Sequence, residues 1–165
     1  MNLVTALALV IGALGALATW LFLDPLSALG LQIWAAFIGW ASFYHCGGGE
    51  DGLKNTILAG IWGAIMATVA LVLMPVVGMG AVGAAICVGV TVAIMILGAH
   101  LPLLSVIPAA VYGYASTAAF ALLKSGAEAT SADITTSPLL NIAASLAIGA
   151  VFGYVSEKIA KAVSA

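Results

Sequence analysis

Uncharged, largely apolar runs divide this chain at regular intervals, and each is closed by proline, glycine or charge. The first goes from Leu3 to Leu23; at about 1.5 Å per residue it covers the roughly 30 Å hydrocarbon core of a bilayer. Asp24-Pro25 ends it. The second, Leu26 to His45, is rich in aromatic residues and stops at Cys46-Gly47-Gly48-Gly49-Glu50-Asp51, where consecutive glycines favour a loop over continued helix. The third, Leu53 to Leu73, is closed by Met74-Pro75, and the fourth, Gly80 to Ala99, by His100-Leu101-Pro102, because proline cannot continue the helical hydrogen-bond ladder. The fifth, Val106 to Leu123, carries Pro108 near its start, where a missing N–H costs nothing. Lys124 to Ser137 is the one long polar connection. The sixth run, Pro138 to Ser156, leads into Glu157-Lys158-Ile159-Ala160-Lys161, whose lysines suit the headgroup region. The pattern predicts an all-α, polytopic membrane protein, a single transmembrane domain over residues 1–165 with about six transmembrane helices.

Runs two and five are also compatible with shorter, broken helices lining a cavity, since irregular backbone is tolerated at membrane depth where it meets protein or water. Runs one to three and four to six each take close to half the chain. That is the layout of an inverted three-helix repeat, although the two halves show no convincing sequence match.

Composition strengthens the membrane reading. With 64% of residues hydrophobic and 6% charged, there is too little polar surface to coat a soluble domain, which leaves about a third of its surface wet. Four lysines, no arginine and a net charge of −2 leave nothing to neutralise a phosphate backbone, which excludes nucleic acid as a partner. The first lysine is Lys54, so the N-terminal run reads as a retained span, not a cleaved signal with a basic start. An even number of spans puts both termini on one face; Lys54, Lys158 and Lys161 fall there against Lys124 on the other, which predicts cytoplasmic termini. Cys46 and Cys87 lie a full span apart and read as small apolar fillers, not a disulfide.

Lipid offers no hydrophobic gain for helix pairing, so close approach has to come from small residues at four-residue spacing. Gly12 and Ala16, Gly60 and Ala64, and Gly149 and Gly153 are the candidate helix-packing positions. At 100° per residue Trp34, Phe37, Trp40 and Tyr44 share one helix face. They read either as rings packed on neighbouring helices and lipid or as the lining of a pore or substrate cavity. Gly47, Gly48 and Gly49 are candidates for a loop constriction, because glycine lets backbone N–H groups turn toward a ligand; the alternative is a plain turn, with Glu50 and Asp51 complementing the positive end of the third helix. His45 and His100 lack ligand spacing, and no metal site is expected.

The polar residues inside the runs are uncharged. Ion pumps and proton-coupled carriers usually carry an intramembrane charge, whereas a path for a neutral or weakly polar solute needs only hydroxyl, amide and carbonyl groups. Gln32 and Asn141 have the greatest hydrogen-bonding capacity and join the candidate pore or substrate-lining residues. No catalytic triad, paired-histidine motif or cofactor fingerprint is present, so neither an enzyme nor a cofactor is expected.

Trp34-Ala-Ala-Phe-Ile-Gly39, the glycine loop followed by Gly52-Leu53-Lys54, Leu104-Ser105-Val106-Ile107-Pro108, and Gly149-Ala-Val-Phe-Gly-Tyr154 resemble the YcdZ-like family of small bacterial inner-membrane proteins over nearly the whole chain. The resemblance implies a bacterial inner-membrane location and a compact multispan domain. That family being of unknown function, it carries over no catalytic or binding residues. The residues themselves lead to the expectation of a small-solute channel or facilitator, working as a homo-oligomer because six short spans offer little room for a protected path. A non-transporting structural or regulatory subunit is the rival if the polar residues scatter between helix contacts. A secondary carrier is favoured if a broken-helix site and inverted halves are present.

Overall fold

The computed structural model describes residues 2–164, and among these there are six α-helices and no strand. They are α1 (Leu3–Leu23), α2 (Ile33–His45), α3 (Gly49–Val77), α4 (Gly80–Leu97), α5 (Ile107–Leu123) and α6 (Pro138–Ser164). Four of them, α1, α3, α4 with its 3-10 extension, and α6, are long and apolar enough to cross a membrane. The other two are short: α5 has 17 residues and α2 has 13, so α2 reaches only about 20 Å at 1.5 Å per residue.

Several boundaries differ from those the hydrophobic pattern suggests, each for a local reason. The second run shrinks at its start because residues 24–32 leave the helix through a 3-10 turn, Ser27–Leu29, ended by Gly30 in the left-handed region. The third helix passes through Pro75 and stops only at Gly78. Proline in a last turn removes one ladder bond, whereas the positive φ of Gly78, Met79 and Gly80 turns the chain outright. The sixth helix continues to Ser164, its exposed end carrying a Glu157–Lys161 pair at one-turn spacing, a favourable orientation. In the long polar connection Asp133 accepts from the Thr135 N–H and hydroxyl, which hold its carboxyl below the ordinary carboxylate range. The stabilisation that follows is present above the ordinary carboxylate pKa and is lost as pH falls through the depressed value.

Two pairs of helices approach to backbone contact. α2 runs parallel to α6, the Gln32 N–H bonding Ser145 near one end and Trp40 bonding Ser156 near the other. A Cβ added at Gly39 would meet the Leu146 carbonyl, and one added at Gly149 would meet that of Ala36. α3 and α5 repeat the arrangement. A Cβ at Gly63 would collide with the Ala110 carbonyl, and one at Gly113 with that of Gly60. In each pair, each glycine seats on the carbonyl one turn before the partner's glycine. Such approach gives van der Waals and Cα–H···O contact that lipid cannot match.

The rest of the packing follows the same exchange. α1 lies along α6 as α4 lies along α3, α2 touches α3 as α5 touches α6, and α3 crosses α6 at the centre. Exchanging α1, α2, α3 for α4, α5, α6 reproduces every one of these neighbours, so the protein is built from two inverted three-helix halves. The match between the halves, unconvincing in the bare sequence, becomes evident once this equivalence fixes the register. Residues 33–42 read Ile-Trp-Ala-Ala-Phe-Ile-Gly-Trp-Ala-Ser and residues 107–116 read Ile-Pro-Ala-Ala-Val-Tyr-Gly-Tyr-Ala-Ser, identical at six of ten positions. On α3 and α6, Leu53, Asn55, Gly63, Ala64 and Val69 correspond to Leu139, Asn141, Gly149, Ala150 and Val155.

The small-residue positions differ in their surroundings. Gly60 and Ala64 are buried, and a Cβ at Gly153 would lie 2.7 Å from the Phe43 ring. Gly12 and Ala16 lie on an exposed face of α1, and Gly12 has nothing within 4 Å of an added Cβ. Gly63→Ala and Gly149→Ala are therefore expected to lower stability by about 1–3 kcal/mol through overpacking. Gly12→Ala should be neutral or slightly stabilising, by up to about 1 kcal/mol. Thermal unfolding of the three variants in one detergent checks this ordering.

Candidate functional site

The short helices α2 and α5 face each other across the relation that exchanges the halves. Each follows a proline-containing linker with a 3-10 turn, Ser27–Leu29 before α2 and Pro102–Leu104 before α5, which consumes residues that would otherwise lengthen the helix. Between them lies a cleft of about 390 Å³, lined by Trp34, Ile38 and Ala41 from α2 and by Tyr112, Ala115, Ser116 and Ala119 from α5. Ile38 corresponds to Tyr112 and Ala41 to Ala115, so the lining is itself built from equivalent positions. It holds no charged residue, which disfavours an ionic occupant because its desolvation would go uncompensated.

The two ends of this seam differ. Where α2 finishes, His45 Nδ1 and the Tyr112 hydroxyl share a hydrogen bond of 2.9 Å that ties α2 to α5. The equivalent positions at the opposite end are Ala119 and Ile38, neither with a side-chain hydrogen-bonding group, and both line the cleft. The seam carries a side-chain hydrogen bond at one end and none at the other. Ser116, in mid-seam, is 2% exposed and its hydroxyl has no hydrogen-bond partner. Its equivalent, Ser42, lies 3.9 Å from the Cys46 sulfur.

Of the residues singled out from the sequence, Trp34 alone lies in this cleft. Its indole N–H donates to Gln32 Oε1, and the Gln32 amide donates to the Gly30 carbonyl, so the glutamine stands before α2 with its side chain folded onto its own linker. Trp40 donates to Ser156 Oγ at 3.0 Å, and the Tyr44 hydroxyl shares the same serine at 2.8 Å, fastening α2 to α6. Phe37 stacks on Trp40 with ring centroids 5.9 Å apart and, with Trp40 and Tyr44, borders a smaller cavity that includes Ile11 of α1. The aromatic face is thus divided among three neighbours.

Asn141 is buried in α6 and donates to the Gly30 and Ile134 carbonyls, tying two connections on one face together; its Oδ1 has no partner. At the other face Gly47, Gly48 and Gly49 all have positive φ, and the Gly49 N–H donates to Glu157 Oε2 at 2.8 Å. The glycine loop therefore presents an amide to a carboxylate of the same chain. Glu50 and Asp51 occupy the first turn of α3, where negative charge is favourable. Among the described residues no group of three or more His, Cys, Asp and Glu side chains gathers in metal-binding fashion.

Nothing in the sequence singles out Ile38, Ala41, Ala115 and Ala119, and Tyr112 and Ser116 count there only among the uncharged polar groups within the runs. Single apolar or small residues on a hydrophobic helix carry no individual signal. The repeated Ala-Ala-x-x-Gly-x-Ala-Ser of residues 35–42 and 109–116 would have pointed to them as a set.

The chain belongs to the family described as protein of unknown function (DUF1097), which it matches over residues 8–161. No curated protein and no solved structure matches it.

Because Ser156 serves Trp40 and Tyr44 together, Ser156→Ala leaves both of their polar groups without that partner. A loss of about 1–3 kcal/mol is expected, with Tyr44→Phe costing less than Ser156→Ala. Chemical or thermal unfolding of the two variants measures the difference.

Proposed function

We propose that this protein is a membrane facilitator for a small uncharged solute, of the carrier type, with its path along the seam between α2 and α5. The observation that carries the reading is the inverted repeat, whose two short, linker-preceded helices meet at a cleft latched at one end only. Inverted halves packed around interrupted helices are a recurrent transporter design, in which one half rocks against the other around a central site. In this chain, opening the His45–Tyr112 end while closing the Ile38–Ala119 end would exchange the environments of the two halves. The uncharged seam argues for facilitation without ion coupling, since coupling to a proton or cation usually requires an intramembrane charge.

We also infer a bacterial inner-membrane location, following the resemblance of the sequence motifs, with both termini cytoplasmic. The Gly49–Glu157 bond puts the α2–α3 loop and the end of α6 at one face, and Lys54, Lys158 and Lys161 belong to that same face, as the positive-inside rule asks of a cytoplasmic side.

Purified protein in proteoliposomes, challenged by stopped-flow with glycerol, urea, acetamide and butyramide, is expected to speed entry of at least one solute over protein-free vesicles. Ala41→Phe, which fills the seam, should abolish most of that increment, and Gly12→Leu on the exposed face of α1 should leave it within about twofold. Permeability equal to empty vesicles for every solute would favour a non-transporting, partner-binding subunit. For the orientation, a C-terminal green fluorescent protein fusion should fluoresce in cells and an alkaline phosphatase fusion at the same point should be inactive.

A further inference from the structure

Asn55 and Asn141 occupy equivalent positions near the starts of α3 and α6, at opposite faces of the bundle, and they are in unlike states. Asn141 is fully buried. Its amide donates to the Gly30 carbonyl in the linker before α2 at 3.0 Å and to the Ile134 carbonyl in the connection before α6 at 2.9 Å. Asn55 is half-buried, and among the described residues its side chain has no hydrogen-bond partner.

The linkers beside the two asparagines differ in the same sense. At the end of the linker before α2 the Gln32 N–H donates to Ser145 Oγ of α6, and Leu26, Leu31, Ile134 and Ala144 pack there in one apolar cluster. The counterpart of Ser145 on α3 is Ala59, which has no hydroxyl to offer the linker before α5. That linker touches α3 through its Pro102–Leu104 turn, around a cavity of about 350 Å³ bordered by Leu58. One linker is hydrogen-bonded to its long helix, and the other rests on its own by apolar contact alone.

The seam follows the linkers. Near the start of α5, Tyr112 bonds His45 of α2 at the face where Asn55 stands. The start of α2, held on α6 beside Asn141, makes no side-chain hydrogen bond to α5 among the described residues. Each short helix is thus fastened at its start either to the other short helix or, through its linker, to a long one.

We propose that Asn55 and Asn141 are alternating positioning residues of the carrier. In the exchanged arrangement Asn55 donates to backbone carbonyls of the linker before α5, and Asn141 releases the linker before α2. A primary amide suits this task because its two N–H donors can hold two carbonyls together while remaining uncharged. The inference rests on the carrier reading and adds to it the groups that set which face is favoured. A group bonded in the minor arrangement alone changes the population of that arrangement without altering the resident one.

The reporter is the Gln32 amide, whose bond to Ser145 Oγ has to break when the linker before α2 is released. Its hydrogen exchange is followed by mass spectrometry with residue-resolving fragmentation, on the full chain in lipid nanodiscs. Asn55→Ala, at the far face, is expected to slow that exchange by about fivefold, the margin of roughly one hydrogen bond lost from the minor arrangement, with the unfolding temperature unchanged. Asn55→Asp, which keeps the shape and loses the N–H donors, should slow it as much. Asn141→Ala should accelerate it by about fivefold or more; if that variant does not fold, the two Asn55 substitutions still decide the outcome. Exchange within about twofold of wild type in both Asn55 variants, less than one hydrogen bond is worth, overturns the proposal and leaves Asn141 a static tie. Coupled exchange in a protein that speeds no solute into proteoliposomes would refute the facilitator and leave the alternation standing, and solute flux with uncoupled exchange would do the reverse.

Discussion

Lipid rewards two apolar helices no more for touching each other than for touching acyl chains, so this bundle has to be held by contacts that lipid cannot imitate. Here these are backbone approaches, at Gly39 and Gly149 between α2 and α6, and at Gly63 and Gly113 between α3 and α5. Each requires that a side chain be absent and that the facing carbonyl come from one turn before the partner's glycine. The hydrogen bonds of Ser156 with Trp40 and Tyr44, and of Tyr114 with Thr91, add direction to what the glycines permit. Everything else, including the outward placement of α1 and α4, is arranged around these two parallel pairs.

Because both pairs obey one rule, the two halves become equivalent with opposite orientation, and the elements left facing each other are the two that their linkers have shortened. Close packing of α2 on α6 and of α5 on α3 leaves α2 and α5 less tightly joined to one another. The seam between them is where the symmetry is imperfect. His45 and Tyr112 form a polar tie at one end, while Ala119 and Ile38 cannot form its counterpart at the other. A fold with equivalent halves in unlike local states has, in principle, a second arrangement in which the states are exchanged. That physical consideration links the packing to a transport reading.

The helical membrane class, the positions of most helix ends and the importance of small residues were legible because hydrophobic length, proline and glycine report directly on them. The extents of α2, α3 and α6 were less so. Whether Gly30 takes a left-handed φ, whether α3 tolerates Pro75, and how far a polar-ended helix continues past Ser156 depend on tertiary surroundings. Helical spacing puts Trp34, Phe37, Trp40 and Tyr44 within one third of the helix circumference, yet such a face can meet several neighbours, and only packing divides Trp34 from Phe37, Trp40 and Tyr44. The seam itself was hidden. Its residues are individually unremarkable, and in a chain with so many alanines and glycines a short repeated pattern gains weight only when the fold shows that its two copies occupy equivalent places.

The inverted relation of the halves is most directly tested by the sidedness of the two linkers that precede α2 and α5. With Cys46 and Cys87 replaced, Ser27→Cys and Ser105→Cys, both at exposed positions, can each be labelled with a membrane-impermeant maleimide from one side or the other of sealed vesicles. The account predicts that the two cysteines react from opposite sides. Reaction of both from the same side would contradict an inverted repeat and, with it, the path between α2 and α5.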